Sequence, residues 1–385
     1  MCGVVGFIDS SGKIKADCLD SYIGVMTDRL AHRGPDSGGC WTDANFGIAL
    51  GHRRLSIIDL SAEGQQPMHS FSKRYVISYN GEVYNFQDIR LELESYGYRF
   101  RGRTDTEVLL NSIEHWGLEK AISKFLGMFA FALWDRQKQL LYLCRDRMGE
   151  KPLYYGNVGP LFAFASELKA LTAHPLFDAE IDRQALALYF RYNYIPAPYS
   201  IYTEIKKLMP GNILTYRLED KNIEMKSYWS LKEVAENASP EKGSIGEVSD
   251  KLEILLRDAI KRQMVADVPL GAFLSGGIDS STIVSLMQAE SINRVKTFTI
   301  GFFEDQYNEA LYAKRIAEHL GTDHTELYLE PNDIMDVIPN LMKYLLCSST
   351  SLFSEVKWNK LFDIIRKFYS SEIKGRSSPN LSVKS

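Results

Sequence analysis

The sequence has few of the features that mark secreted, membrane-spanning or nucleic-acid-binding proteins. No apolar run approaches the roughly 18 residues that a membrane span needs. The formal net charge of -4 leaves no broad basic surface for the phosphates of a nucleic acid. The first residues lack the basic leader of a signal peptide. We therefore predict a cytoplasmic protein with neither a membrane nor a nucleic acid as its partner.

Cysteine is scarce and scattered. The 385 residues contain five cysteines, Cys2, Cys18, Cys40, Cys144 and Cys347. An odd number without paired spacing argues against a disulfide framework and against a zinc site. Any catalytic chemistry must therefore come from a single thiol or from other residue types.

Four segments differ in their residue pattern. Residues 1–205 alternate short apolar runs with Gly, Asn and Asp, which predicts a sheet-rich domain. Residues 206–247 read as a connecting segment that ends in a Ser-, Pro-, Lys- and Gly-containing linker. Residues 248–340 alternate strand and helix, which predicts a partial parallel α/β domain. Residues 341–385 form a basic, serine-rich segment that we predict to be a tail.

Cys2 is a candidate nucleophile because of its place in the chain. Removal of Met1 would make Cys2 the first residue. A thiol titrates near about 8.5 and an α-amino group near about 7.7–8.0, so the amino group can accept the thiol proton. On its own, Cys2 would more often be a small residue at the start of a buried strand.

Seven short blocks along the first 200 residues favour the catalytic interpretation. They are Met1–Gly6, His32–Asp36, Gly51–Asp59, Gln65–Met68, Tyr79–Asn85, Arg103–Glu107 and Arg145–Tyr155. In this order they resemble the class II glutamine amidotransferase domain of asparagine synthetases. The resemblance implies an α/β/β/α sandwich of the N-terminal-nucleophile hydrolase type, followed by an incomplete parallel α/β nucleotide-binding domain.

The resemblance also assigns roles in a glutamine site. It implies that Cys2 is the nucleophile and that Asn80 and Gly81 form the oxyanion hole. Arg54 would pair with the α-carboxylate of glutamine, because its planar fork suits two oxygens. Glu82 and Asp105 would hold the ammonium of glutamine. The remaining implied contacts to glutamine are Leu55, Ser56, Ile57 and Ile58.

Each of these residues has a simpler interpretation when it is taken alone. Asn80-Gly81 would more often be a hairpin turn. Arg54 would usually be a surface charge. Asp105 could cap the helix that follows it. His32 and His52 lack metal-ligand spacing, and we interpret both as structural.

A glycine-rich turn follows an apolar strand in the second half. The heptad Ser275–Ser281 lacks the Gly-Lys-Ser/Thr of a Walker loop. It resembles the pyrophosphate loop of ATP pyrophosphatases, where backbone N–H groups approach an anion at a helix N-terminus. The resemblance implies a site for ATP, with Asp279 as a ligand of Mg²⁺. The implied ATP-binding residues are Leu274, Ser275, Gly276, Gly277, Asp279, Ser280, Ser281 and Ile300.

The likeness to the family ends near residue 340. The Ser-Gly-Asp-Gly block of the family is absent from the sequence, so we expect a truncated synthetase domain with an impaired synthetase step. The resemblance implies an enzyme that makes asparagine from glutamine, aspartate and ATP, and it is compatible with a homodimer. Two alternatives stay open: an amidotransferase for another carboxylate such as a sugar acid, and a degenerate fragment that is only a glutaminase or is not an enzyme.

Overall fold

The computed structural model describes residues 1–336 apart from residues 13, 305 and 307. These residues form two compact units, residues 1–237 and residues 238–336. The tail predicted at residues 341–385, together with Cys347, lies outside the described residues.

Twelve strands and seven α-helices make up the described part of the first unit. The strands are β1 Gly3–Ile8, β2 Ser37–Asp43, β3 Ile48–Arg54, β4 Met68–His69, β5 Tyr75–Val83, β6 Gly127–Asp135, β7 Leu140–Arg145, β8 Tyr154–Val158, β9 Leu161–Ala165, β10 Ile205–Lys207, β11 Asn212–Arg217 and β12 Ile223–Ser227. The helices are α1 Ala16–Asp28, α2 Phe86–Ser95, α3 Asp105–Trp116, α4 Leu118–Lys124, α5 Leu168–Leu171, α6 Arg183–Tyr192 and α7 Leu231–Asn237, with a 3₁₀ turn at Ala62–Gly64.

The twelve strands form two six-stranded antiparallel sheets. One sheet has the order β10-β8-β9-β1-β3-β2 and the other has the order β12-β11-β7-β6-β5-β4. Apolar side chains from both sheets meet in one core, which includes Val4 and Phe164 from the first sheet and Val76 and Trp134 from the second. Because successive residues of a strand face opposite sides, the strands buried on both sides are almost wholly apolar.

Helices cover the outer face of each sheet. The helices α1 and α5 pack on the sheet that contains β1, and their buried side chains join Val5 and Phe7 in a second core. The helix α3 packs on β5 of the other sheet and is flanked by α2 and α4. The layers therefore follow the order helix, sheet, sheet, helix, and the α/β/β/α sandwich predicted from the sequence is confirmed.

The sandwich extends beyond residue 205, where the sequence suggested a boundary. The strand β11 pairs with β7 from Ile213 to Arg217, and β12 pairs with β11. These strands complete one edge of a sheet, so residues up to 227 belong to the first unit. The segment looked like a connection because β12 is exposed along its whole length and lacks an apolar pattern.

The second unit is a small parallel α/β structure. Its elements are α8 Ile245–Gln263, β13 Gly271–Phe273, α9 Ile278–Glu290, β14 Lys296–Phe302, α10 Ala310–Leu320, β15 Asp323–Leu329 and α11 Pro331–Met335. The strands are parallel in the order β13-β14-β15. The sequence predicted the first two strands but missed β15. No helix within the described residues is both long and apolar enough to cross a membrane.

We predict that the core between the two sheets contributes strongly to stability. Phe164 is fully buried there, so Phe164→Ala should lower the free energy of unfolding by about 3–5 kcal/mol, through lost transfer energy and a cavity. Urea unfolding followed by tryptophan fluorescence measures the change. As the matched control, Phe190→Ala removes a ring that is 75% exposed and should change stability by less than about 0.5 kcal/mol. Equal effects of the two substitutions would contradict the prediction.

Candidate active site

Cys2 lies just before β1, which begins at Gly3. The register pairs Gly3 with Arg53 on β3, which brings Cys2 beside the residues that follow β3. The Sγ atom of Cys2 is 3.4 Å from the N atom of Leu55, which donates to it, and 3.7 Å from the carbonyl oxygen of Leu55. The half-buried thiol is therefore held against the main chain of a segment predicted to bind glutamine.

The protonation of Cys2 and of the neighbouring amino group is set by burial. Burial raises the pKa of the Cys2 thiol, against the opposing effects of the amino group and the Leu55 N–H. Burial also lowers the pKa of the Met1 amino group to about 5. At neutral pH the resting site of the chain that keeps Met1 therefore holds a neutral thiol beside a neutral amine.

A buried group of charges fixes the main chain at Cys2. Arg33 donates from Nε to the Cys2 carbonyl at 2.9 Å and from Nη1 to Glu167 at 2.7 Å. His32 and Lys169 also contact Glu167, at 3.1 and 3.0 Å. Burial works against ionisation of Glu167, but Arg33, the hydrogen bond with His32 and Lys169 hold the pKa of its carboxyl well below its usual range. His32 contacts Glu167 in this group, and its structural role stays a prediction.

Asn80 and Gly81 lie within β5 and do not form a turn. Asn80 is 1% exposed, and its Nδ2 atom has no hydrogen-bond partner among the described residues. Ser78, two residues earlier on the same face, donates to the carbonyl of Gly51 on β3. The Asn80 amide therefore faces the first sheet, on the side where Cys2 lies. A buried amide donor without a partner is the group that an oxyanion would need.

The strand register directs the Gly81 N–H away from β6. Gly81 lies opposite Phe129, and Phe129 bonds through both its N–H and its carbonyl to Asp146 on its other side. Since the N–H and carbonyl of a strand residue point the same way, Gly81 and Phe129 form a non-hydrogen-bonded pair. The Gly81 N–H points to the free edge of β5. A Cβ at Gly81 would lie 2.3 Å from the carbonyl oxygen of Met128, so only glycine fits.

The neighbouring N–H groups on this edge of β5 already have partners. Tyr79 N–H donates to the Gln66 side chain at 2.7 Å. Val83 N–H donates to Asp105 Oδ2 at 3.0 Å. The Gly81 N–H lies between these two bonds, and it is available together with the Asn80 amide to bind an oxyanion.

Asp105 is the first residue of α3, but it does not cap the helix. The cap is Thr104, whose side chain accepts from Glu107 N–H. Asp105 Oδ2 accepts from the hydroxyl of Tyr79 at 2.7 Å and from Val83 N–H. Burial raises the pKa of Asp105 to about 6, although both of these hydrogen bonds oppose the rise. The carboxylate is thus a buried anion at neutral pH and is suited to pair with a cation.

Tyr79 and Lys151 belong to the site, although the sequence did not single them out. Tyr79 orients Asp105 from β5. Lys151 is buried, burial lowers its pKa, and it is close enough to Glu82 and Cys2 for their charges to act on it. Both lie inside the sequence blocks that carried the resemblance. The sequence does not show that either residue is buried. Without that information, a single Tyr or Lys gives no reason to assign it to a site.

Arg54 is buried and does not act as a surface charge. It donates from Nη1 to the Ser61 carbonyl at 2.9 Å and from Nη2 to the carbonyls of Ile58 and Asp59. A guanidinium has five N–H donors, so three carbonyls do not exhaust it. Gly64 provides the space, because a Cβ there would lie 1.9 Å from Nη2 of Arg54. The loop 55–64 is therefore wrapped around Arg54.

The remaining predicted glutamine contacts also surround this end of the sandwich. Ser56 is buried, and its N–H donates to Asp36 at 2.8 Å, while Ile57 and Ile58 are half-buried. Glu82 is buried on the face of β5 that also bears Asn80. The structure thus brings Cys2, Arg54, Asn80 and Asp105 to one end of the two sheets.

In the second unit, the loop Ser275–Ser281 follows β13 at the carboxyl end of the parallel strands. Its last four residues form the first turn of α9. Ser275 is tied to Ser280 by a 3.2 Å bond from its N–H and a 2.9 Å contact between the hydroxyls. Gly276 has a φ of +82°. A Cβ there would lie 2.8 Å from Tyr312 on α10, so glycine allows the loop to pack closely. Ligands of parallel sheets bind at this end of the strands.

The two residues predicted to flank an adenine differ in their surroundings. The side chain of Leu274 is buried with Val284, Ala313 and Ala317, and its N–H donates to Phe298 at 2.9 Å. Leu274 therefore contributes to the core beneath the loop. Ile300 on β14 is half-buried. Asp279, in the first turn of α9, is exposed. Residues 1–336, with their three gaps, contain no cluster of three or more His, Cys, Asp or Glu side chains that could hold a metal ion.

Comparisons with known proteins match both units. The family model for the glutamine amidotransferase domain matches residues 1–229, and the model for asparagine synthase matches residues 251–356. The solved structure of glutamine phosphoribosylpyrophosphate amidotransferase from B. subtilis, complexed with ADP and GMP, aligns with a TM-score of 0.47 and 17% identity. The alignment covers 88% of this chain and 92% of that one.

Two curated relatives show which family the chain belongs to. The chain is 37% identical over 342 residues to asparagine synthetase [glutamine-hydrolyzing] 1 of Bacillus subtilis, covering 89% of this chain and 52% of the relative. It is 33% identical over 394 residues to putative asparagine synthetase [glutamine-hydrolyzing] 2 of Methanocaldococcus jannaschii, covering 97% and 74%. The chain belongs to the glutamine-hydrolysing asparagine synthetase family. It spans about half the length of the first relative and about three quarters of the second.

We predict that Asp105 lowers the stability of the folded chain at neutral pH. Its pKa is about 6 in the folded chain and ordinarily 3.8, so the folded state binds the proton more tightly, and stability falls as pH rises through this window. Asn at this position still accepts from Tyr79 and Val83. Asp105→Asn should therefore raise the free energy of unfolding by roughly 1–3 kcal/mol at pH 7.5. Urea unfolding at pH 7.5 and 4 tests this, because most of the gain should be lost at pH 4, close to the ordinary pKa of 3.8.

Proposed function

We propose that the first unit hydrolyses glutamine with Cys2 as the nucleophile. The observation that carries the proposal is the convergence of a thiol, a buried arginine, an unpartnered amide and a buried carboxylate at one end of the sandwich. One glutamine presents an amide carbonyl, an α-carboxylate and an α-ammonium, and each has a counterpart in this set. Arg54 takes the carboxylate, and Asp105 with Glu82 takes the ammonium.

In the proposed reaction the Cys2 thiol attacks the side-chain carbonyl of glutamine. The thiol proton passes to the neighbouring amino group and then to the leaving ammonia. The carbonyl oxygen gains negative charge, which the Asn80 amide and the Gly81 N–H stabilise. Water then hydrolyses the thioester to glutamate. Removal of Met1 would place the accepting amino group on Cys2 itself.

We propose that the second unit contributes to the use of the released ammonia. By membership of the family, aspartate would react with ATP to give a β-aspartyl adenylate and pyrophosphate, and ammonia would then displace AMP to form asparagine. The loop Ser275–Ser281 offers N–H groups and hydroxyls at the start of α9 for the phosphates. The described residues of this loop support the binding of a nucleotide. The complete synthesis of asparagine is part of the proposal and follows from membership of the family.

Mg²⁺ fits this site only together with the nucleotide. Asp279 is a single exposed carboxylate beside the phosphate-binding loop. Mg²⁺ prefers oxygen ligands and is commonly held by one or two carboxylates with substrate phosphates. Asp279 would supply one such oxygen, and a bound Mg²⁺ would offset the negative charge of the phosphates. The cytoplasmic location and the homodimer remain predictions from the sequence.

We expect Cys2→Ala to abolish glutamine hydrolysis. The substitution removes the nucleophile but leaves the packing of β1, since Ala is slightly smaller than Cys. The measurement is glutamate released from glutamine by the purified chain, and the proposal fails if Cys2→Ala keeps full activity. As the control, the free energy of unfolding in urea should be the same for both chains. A separate assay follows AMP and asparagine formed from aspartate, ATP, Mg²⁺ and ammonia, where the expected impairment of the synthetase step predicts little turnover. Replacing aspartate by a sugar acid in that assay tests the alternative acceptor.

We expect Asn80→Ala to lower kcat for glutamine hydrolysis by about 10²–10³-fold. The amide stabilises charge that develops only during the reaction, so the KM for glutamine should change by less than about threefold. Steady-state kinetics separate the two constants. Ser112→Ala, which removes another buried polar group away from the site, is the matched control for stability. A rise in KM at constant kcat would show that Asn80 binds the substrate and does not form the oxyanion hole.

A further inference from the structure

The loop that surrounds Arg54 is organised by the carboxylate of Asp59. Asp59 is buried and has a φ of +57°, a left-handed conformation that Asp and Asn tolerate. Its Oδ1 atom accepts from Ser61 N–H at 3.0 Å and from the Ser61 hydroxyl at 2.5 Å. This local turn directs the carbonyls of Ile58, Asp59 and Ser61 onto Arg54. The shape of the Arg54 side of the site therefore depends on Asp59.

The second oxygen of Asp59 reaches a different segment of the chain. Oδ2 accepts from Arg103 N–H at 2.7 Å. Arg103 lies two residues before Asp105 and 44 residues after Asp59. A Cβ on the adjacent Gly102 would lie 2.8 Å from Oδ2, so the two segments touch at this point. One carboxylate thus connects the loop around Arg54 to the segment that leads into Asp105.

The segment before Asp105 is itself fixed to α3. Glu107 accepts from the N–H groups of Arg101 and Gly102 at 3.0 Å each, and Thr104 accepts from Glu107 N–H. A displacement of this segment would therefore be transmitted to the start of α3. The loop 55–64 and the start of α3 are held in one arrangement through Asp59.

We propose that Asp59 is a positioning residue that sets the separation between Arg54 and Asp105, and hence between the sites for the two ends of glutamine. The inference rests on the proposed glutaminase. Arg54 binds one end of the substrate and Asp105 the other, and a ligand that engages both at once needs both at a fixed spacing. A substrate with only one of the two charged ends does not depend on that spacing.

The test uses Asp59→Asn with three substrates. Asn tolerates the left-handed conformation, but its amide has only one oxygen, so in either orientation an NH₂ faces an N–H donor at Ser61 or at Arg103. The substrates are glutamine, glutaramate, which lacks the α-amino group, and 4-aminobutanamide, which lacks the carboxylate. We expect the KM for glutamine to rise about tenfold, since bonds to charged groups are the stronger ones. For the other two substrates, KM should change by less than about twofold. The amide oxygen of Asn is expected to stay on Ser61, where it accepts two bonds, so the turn around Arg54 is kept and only the bond from Arg103 is lost.

Two further variants isolate the cause. Gly102→Ala places a methyl group against Oδ2 of Asp59 from the opposite segment, and it should reproduce the rise in the glutamine KM. Gly24→Ala is the matched control, because a Cβ there would meet nothing within 4 Å, and it should behave as the wild type. Hydrogen exchange of the amides at residues 101–104 should be faster in Asp59→Asn and in Gly102→Ala. If Asp59→Asn does not fold, Gly102→Ala carries the same test.

The outcomes separate this inference from the proposed function. Absence of Cys2-dependent glutamate release from the wild-type chain would overturn the proposed function, and the inference with it. Wild-type hydrolysis combined with an unchanged glutamine KM in both variants would overturn the inference alone. So would an equal rise in KM for all three substrates, because that pattern indicates general damage to the site. A rise confined to glutamine supports the assignment.

Discussion

The antiparallel pairing of β1 with β3 is the constraint on which the candidate site depends. Because Gly3 lies opposite Arg53, the start of β1 and the end of β3 are adjacent, and Cys2 meets the loop that carries Arg54. The second sheet then supplies Asn80 across the core. A slip of one residue in this register would turn the side chains of β1 to the opposite face, and the core and the site would be lost together.

The site contains two kinds of buried charge. Glu167 and Arg33 compensate each other and fix the main chain at Cys2, which makes them part of the scaffold. Among the described residues, Asp105 accepts hydrogen bonds from neutral donors, the Tyr79 hydroxyl and the N–H groups of Val83 and Thr106. Its raised pKa shows that the carboxylate is held in an unfavourable environment. A cation that arrives with the substrate would supply the missing charge, so part of the stability of the fold is given up for binding.

The sequence anticipated strands such as Leu161–Ala165 because short apolar runs are local signals. The seven blocks carried the resemblance to the family, and that resemblance implied the sandwich. The strand β15 was missed because its residues, Asp323–Leu329, are mostly polar and become a strand only by pairing with β14. The roles of Tyr79 and Asp59 depend on contacts with residues 26 and 44 positions away. A single sequence does not show which distant residues are in contact. These supporting interactions around the site could therefore be recognised only in the structure.

The burial of the Cys2 thiol has a consequence for how the resting protein meets oxidants. Oxidants and alkylating reagents attack the thiolate, and a thiol whose pKa is raised presents very little of it at neutral pH. The resting Cys2 side chain is therefore mainly the unreactive thiol, and its chemical modification at neutral pH should be slow.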